Sequence, residues 1–403
     1  MSVAIKFHPL TYLDEGDDVV VGRRDVDSYI SLPREGADLL RRLADGATPT
    51  EAARWYELTF GEGVDIDDFI SAVADVGFVC TDTQEVDAAV EADQPVRWRR
   101  LAAAMFSGPA WCCYAALVGA AALACLDEPS LVPRHTDVFF TSSLVVIELT
   151  LMVLTLPFTL LHELFHVLAG RRLGLRSRVR LSNRFYFVVF ETVMDGLVSV
   201  PRRQRYLPML AGLLADTLSL AAFICGAWLL RGPAAGAPGA TPLSNLLMAM
   251  AFTTLPRMGW QGYFFLRTDG YYLVATVTGC QNLHEAGWWR LRTGLARLTR
   301  GRLGGTVTDG SQFGATDLLV SRWYAPLLLL GYCLAFSVLV FAVLPLAWTF
   351  FTLALTRVFA GAAESTAQLL DSAVVLAVAL GQVLLAAALA VRQRRSAKTA
   401  HQP

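Results

Sequence analysis

Residues 138–169 read VFFTSSLVVIELTLMVLTLPFTLLHELFHVLA. The stretch is long and apolar enough to cross a bilayer core of about 30 Å, which takes about 20 helical residues. Its last third carries His162-Glu163-Leu164-Phe165-His166, an HExxH pattern on an otherwise apolar helix. Polar groups in such a setting need compensation, since one charge at mid-bilayer costs about 2.5 kcal/mol or more. A metal ion in a water-filled cavity supplies that compensation. Residues four apart lie nearly above one another on a helix, so both imidazoles can reach a single ion. Glu163 falls in the adjacent sector. Zinc lowers the pKa of a ligated water from about 16 to near 7. A carboxylate at Glu163 suits the group that takes its proton and passes it to a leaving amine.

The rest of the chain agrees with a membrane setting. Of 403 residues, 54% are hydrophobic and 17% charged, and mean hydropathy is +0.45. A soluble chain carries about a quarter charged residues. Six apolar stretches have spanning length: 101–126, 138–169, 207–230, 242–266, 325–356 and 367–391. Pro157 and Pro345, in the two longest, predict a kink or tilt. Arginines cluster in alternate loops. Arg97, Arg99 and Arg100 precede the first span, and Arg171 to Arg205 fill the loop after the second. Arg267 to Arg322 follow the fourth, and Arg392, Arg394, Arg395 and Lys398 follow the sixth. The remaining loops hold only Arg134, Arg231 and Arg357. With six spans every basic segment falls on one side, which predicts a multi-pass cell-membrane protein with both termini cytosolic. The N-terminus lacks a cleavable signal pattern, so the first apolar run is expected to be the first anchor.

A net charge of −1 with no clustered basic face outside these loops argues against a nucleic-acid partner. The seven cysteines form no CxxC pair and sit mostly in apolar spans, so they read as structural.

The fold expected is a mainly α membrane protein of about six transmembrane helices with a small α+β, winged-helix-like cytosolic domain over residues 1–92. Residues 93–100 form a basic juxtamembrane linker and 101–280 the transmembrane core with the motif. Residues 281–324 are a cytosolic basic loop, 325–391 the C-terminal transmembrane helices and 392–403 a cytosolic tail. In the first domain, 19–23 and 27–32 read as strands, 33–44, 48–60 and 65–76 as helices, and 77–80 as a last strand. Residues 82–95, acidic and irregular, read as linker.

A catalytic zinc takes three protein ligands and keeps a fourth position open. His8 and His401 are terminal, His135 falls on the opposite side and His284 in a loop. Among the acids, Asp269 sits at the cytosolic end of span 4, at the depth of His162 and His166, but a helix-terminal Asp-Gly turn explains it equally well. Asp195 lies in the loop after span 2. Asp216 lies within span 3, where a hydrogen bond to a neighbouring helix is the simpler role. Glu148 is roughly 20 Å from the motif along the helix.

HELFH within a span, then a basic segment, then Ala211-Gly212-Leu213-Leu214-Ala215-Asp216, then Arg267-Thr268-Asp269-Gly270-Tyr271-Tyr272, resembles the site-2 protease family of intramembrane zinc metalloproteases. The similarity is greatest to its bacterial peptide zinc metalloprotease branch and covers residues 140–280. It implies that His162, His166 and Asp269 hold Zn2+ and that Glu163 is the catalytic acid/base. The Asn-Pro common in that family before the Asp is Tyr263-Phe264 here, and its Ala-Gly-Pro is Ala211-Gly212-Leu213. The substrate-positioning asparagine is therefore missing from its usual place. Residues 1–90 resemble PqqD-like peptide-recognition domains, which implies that a leader peptide is held as an added strand. A generic winged-helix regulatory domain is the plainer alternative. The segment 185–193 (FYFVVFETV) is β-prone and suits either an interfacial strand or an aromatic anchor.

These readings together predict hydrolysis of a peptide bond near the cytosolic membrane face. The expected substrate is a precursor peptide in maturation or export, or alternatively a membrane-tethered regulator. A non-catalytic peptide-binding export or immunity component is the rival, against which an intact Glu163 stands.

Overall fold

Strand and helix formers at the N-terminus alternate as the hydrophobic pattern requires. The computed structural model describes residues 5–16, 18–23, 26, 28–80, 96–141, 143–184, 187–231, 241–280, 282–299, 310, 313–338, 340 and single positions between 348 and 384. Three strands, β1 (Thr11–Glu15), β2 (Asp18–Arg23) and β3 (Ser28–Pro33), form an antiparallel sheet in the order β1-β2-β3. Val21 pairs with Tyr12 on one side and Ile30 on the other. Helices α1 (Arg34–Ala44), α2 (Pro49–Phe60) and α3 (Ile66–Asp75) follow. Thr48 and Glu51 form a reciprocal capping box with Pro49 in the first turn, so α2 starts where its sequence says it should. Val19, Val21, Ala37, Leu40, Val73 and Phe78 make the core.

Two details differ from expectation. The strand β1 carries two acids among its five residues, Asp14 and Glu15, and its alternation is too weak to read. The expected last strand, 77–80, is reduced to a single antiparallel bridge between Phe7 and Val79.

Beyond this sheet the described chain is mainly helical. A short helix α4 (Arg99–Met105) precedes α5 (Gly108–Asp127), so the apolar run 101–126 is broken at Phe106 and Ser107. Pro109 stands in the first turn of α5, a position that suits proline because its missing N–H would have no partner in the helix there. Helix α6 (Leu144–Arg172) carries the HExxH pattern and leads into a two-stranded hairpin, β4 (Arg176–Arg184) and β5 (Phe187–Asp195). The β-prone segment thus pairs with a strand of alternating arginines that composition alone did not reveal. Phe185 and Tyr186 lie outside the described residues.

Helices α7 (Arg202–Arg231), α8 (Pro242–Trp260), α9 (Asp269–Thr278), α10 (Leu283–Leu298) and α11 (Ala315–Val338) complete the described elements. Among the described residues four helices, α5, α6, α7 and α11, are long and apolar enough to cross a membrane. Helix α8 was expected to span over 242–266. It ends at Trp260, contains Asn245, Pro256 and Arg257, and is not among those four. The expected loop 281–324 holds helix α10 and the first turns of α11, because Leu283, Ala286 and Gly287 bury one face of α10. The second half of the 325–356 stretch, the 367–391 stretch, the linker 82–95 and the basic tail fall outside the described residues, apart from single positions.

The chain falls into two compact units. One comprises 1–107, 166–179 and 192–208; the other 108–165, 180–191 and 209–403. The division passes between Phe165 and His166, inside the continuous helix α6. In the first unit the turn Leu197–Ser199 lies against β1 and β2. Arg205, nearly buried, donates from Nε to the Val200 carbonyl at 2.6 Å and from Nη2 to the Val198 carbonyl at 2.7 Å. It also pairs with Glu15 of β1. In the second unit α5, α6, α7 and α8 share an apolar cluster rich in alanine: Ala121, Ala124, Ala221, Ala227 and Ala251. Small residues let helices approach closely where lipid removes the hydrophobic drive between them. Phe158 of α6 meets Phe223 of α7 edge-on with ring centres 4.7 Å apart.

Arg205→Ala leaves Glu15 and two carbonyls without their shared cation. Loss of hydrogen bonds to a charged group costs about 1.5–3 kcal/mol, and Glu15 keeps partial access to water. The full-length variant is expected to unfold at a clearly lower temperature than wild type in detergent, read by tryptophan fluorescence; an unchanged midpoint would remove Arg205 from the account of this unit.

Candidate metal centre

His162 and His166 stand one turn apart on α6 and are buried, as is Glu163 between them. The helix forms here because Leu, Glu and Ala favour it and no β-branched run interrupts the turn. His166 Nδ1 lies 2.6 Å from the Pro208 carbonyl oxygen. A carbonyl only accepts, so Nδ1 carries the proton and Nε2 carries the lone pair. His162 Nδ1 lies 2.9 Å from Asp216 Oδ2. Asp216 is fully buried and also receives Arg257, whose Nε and Nη2 lie 2.9 Å and 2.8 Å from Oδ1.

The other nitrogen of His162, Nε2, lies 3.2 Å from Asp269 Oδ2. Both ring nitrogens therefore face carboxylate oxygens. A neutral imidazole has one N–H and cannot satisfy both. Either the ring is an imidazolium, or a cation sits beside Nε2. The separation fits both: 3.2 Å is within hydrogen-bond range, and donors about 2.0–2.1 Å from a tetrahedral ion lie roughly 3.4 Å apart. One ligand atom each from His162, His166 and Asp269 lies within 4.8 Å of the others. Two imidazoles and a carboxylate are a donor set that zinc accepts, with room for a fourth ligand. These three residues can hold a metal ion.

The position of Asp269 is set by the turn before it. Thr268 Oγ1 donates to the Gln261 carbonyl at 2.8 Å, and Asp269 N–H donates to Gln261 Oε1 at 3.2 Å. Gly270 lies so close to the Gln261 carbonyl that a Cβ there would overlap it. The Asp-Gly pair thus starts α9 and also permits a close approach that any other residue would obstruct. Arg267, two residues earlier, is left-handed at φ 54°.

The structure brings Asp269 to the histidines, sets Asp216 behind His162 and leaves Asp195 and Glu148 elsewhere. Asp195 ends β5 and is absent from the cluster, and Glu148 lies on the exposed surface of α6. Asp216 does hydrogen-bond to a neighbouring helix, as its simpler role required, but the partner is a candidate ligand. Arg257 escaped the sequence reading. Its signal was an arginine inside an apolar run, where a buried acid has to face it.

His284, expected in a loop, opens α10 and is buried. Trp288 Nε1 donates to His284 Nε2 at 3.1 Å, and His284 Nδ1 faces Tyr324 Oη at 3.1 Å. Burial first, then the nearby Arg267 charge, push its pKa down to about 4, against a small opposing pull from Glu285.

Comparison with known proteins finds no matching family model, no similar curated protein and no similar solved structure. The chemistry of the site therefore rests on its own residues.

His284 yields a pH prediction. Its folded pKa lies below the unfolded value of about 6.5, so below that pH the unfolded chain binds more protons. Its contribution to stability is complete above pH about 6.5 and is lost as pH falls toward about 4. Wild type should show a steeper fall in unfolding midpoint across that window than His284→Gln; parallel curves would refute it.

Proposed function

We propose that this chain is a multi-pass intramembrane zinc metalloendopeptidase of the site-2 protease kind. In this reading it sits in the cell membrane with six spans and both termini in the cytosol. The observation that carries the proposal is the clustering of His162, His166 and Asp269 around one point, with both imidazoles oriented from behind and Glu163 buried in the same turn. A binding protein would have no use for that glutamate.

His162, His166 and Asp269 would hold the ion. A bound zinc supplies Lewis-acid polarisation and makes water acidic enough to lose a proton near neutral pH. Asp216 and the Pro208 carbonyl fix the two rings with Nε2 forward, and outer partners of this kind also raise ligand basicity. Arg257 offsets the charge of Asp216, so that the carboxylate can remain buried among apolar helices. Glu163 takes a proton from the attacking water. As the water oxygen bonds to the carbonyl carbon and the C–N bond breaks, Glu163 returns the proton to the leaving nitrogen.

The substrate in this reading is a precursor peptide cleaved near the cytosolic face during maturation or export. The N-terminal domain, read as PqqD-like, would capture its leader by strand addition to the three-stranded sheet.

Glu163→Gln is expected to keep zinc and to lose about 10²–10⁴-fold in cleavage of a co-expressed leader-bearing peptide, followed by mass spectrometry. Asp269→Ala and His162→Ala are expected to lose zinc, measured by metal analysis of the purified protein. Zinc retained by Asp269→Ala but lost by Asp195→Ala would overturn the ligand set, and undiminished cleavage by Glu163→Gln would overturn the mechanism. For the leader, a photo-crosslinking residue at Ser31 of β3 should trap the peptide. Trapping only from membrane helices would leave the N-terminal domain another role.

A further inference from the structure

Behind the Asp269 turn lies a chain of polar contacts enclosed by aromatic rings. Trp288 Nε1–H donates to His284 Nε2, so His284 Nδ1 carries the proton and donates to Tyr324 Oη. Tyr324 then donates to the Phe264 carbonyl at 3.1 Å. The backbone N–H of His284 donates to Tyr271 Oη at 3.2 Å. The directions are consistent along the whole chain, and a neutral His284 is the only form that permits the Trp288 bond.

Two of these contacts bracket Asp269. Phe264 lies five residues before it and Tyr271 two residues after. The Phe264 carbonyl also accepts from Arg267 N–H at 3.2 Å, and Arg267 holds the left-handed conformation. Such a conformation in a residue with a side chain persists only where its surroundings over-determine it. Here the surroundings are helices α10 and α11. Tyr324 is almost fully buried, and Gly287 is so close to its ring that a Cβ would lie 2.8 Å from Cδ1. Gly331 stands flush against Phe265 of the same turn, and Arg267 pairs with Glu285 of α10.

We infer that His284 and Tyr324 are positioning residues for Asp269, acting through the Phe264 carbonyl and Tyr271 to fix the turn that aims its carboxylate at His162. The inference rests on the reading of Asp269 as a metal ligand. It assigns to α10 and α11, which contribute no ligand, the work of holding the third ligand in register with a site on α6. Removing the Tyr324 hydroxyl leaves the ring packing in place but takes from the Phe264 carbonyl one of its two donors and strands the His284 Nδ1–H, and a buried group left without its partner draws the turn into a new arrangement.

The test uses the full chain in detergent, with Zn2+ affinity measured against a chelator and the ligand field read from the Co2+ visible spectrum. Tyr324→Phe is expected to weaken zinc binding about tenfold or more, the range typical of lost outer-shell contacts, and to alter the Co2+ bands. His284→Leu should do the same, and His284→Gln, which can accept from Trp288 and donate to Tyr324, should recover most of the loss. A purely structural role would lower the unfolding midpoint of each variant and leave affinity and spectrum at wild-type values. If Asp269→Ala loses zinc while Tyr324→Phe and His284→Leu bind it as wild type does, the inference falls and the ligand assignment stands. If Asp269→Ala itself binds zinc normally, the ligand assignment falls and takes the inference with it. Should Tyr324→Phe fail to fold, the comparison of His284→Leu with His284→Gln decides.

Discussion

Burying ionisable groups among apolar helices is the constraint on which the rest of this structure depends. Within a few residues' reach stand two imidazoles, the carboxylates of Glu163, Asp216 and Asp269, and the guanidinium of Arg257. None could be left there alone, because desolvation of an isolated charge far outweighs any packing gain. Arg257 answers Asp216, Asp216 orients His162, and a cation held by His162, His166 and Asp269 would answer the remaining opposition of His162 Nε2 and Asp269. Each element that contributes to this group is therefore held to a narrow position: α6 by its two histidines, α7 by Asp216 and Pro208, α8 by Arg257 and α9 by Asp269.

Close packing supplies the precision that the charges demand. Alanines let α5, α6, α7 and α8 approach, while glycines bring backbone to backbone or backbone to ring at the turn before α9. A shift of one side chain in such an interior is transmitted, since its neighbours have no free space to absorb it. The His284–Tyr324 chain belongs to the same logic, because an irregular turn cannot satisfy its own carbonyls as a helix does.

The N-terminal domain meets its unit through a different kind of contact. Arg205 gathers Glu15 of β1 and the carbonyls of Val198 and Val200, three residues before the Pro208 whose carbonyl meets His166. A single helix turn thus carries the anchor of the sheet and the orienting oxygen of a candidate ligand.

The sequence by itself determined the parts governed by local spacing. The HExxH pattern needs only the helical repeat to bring two imidazoles to one face, and the capping box at Thr48 needs only three residues of separation. Apolar runs of spanning length made α5, α6, α7 and α11 legible, though a break at Phe106 and Ser107 separates α4 from α5 and α8 ends at Trp260. The long-range pairings were beyond it. An Asp-Gly turn and an Asp within an apolar span read individually as ordinary features, and nothing local pairs Arg257 with an acid. Only the tertiary structure decided that Asp269 meets His162 across 107 residues, that Asp216 stands behind it, and that Arg257 neutralises Asp216. The reason is physical: local propensity depends on neighbours in the chain, whereas the compensation of buried charge depends on which helices meet.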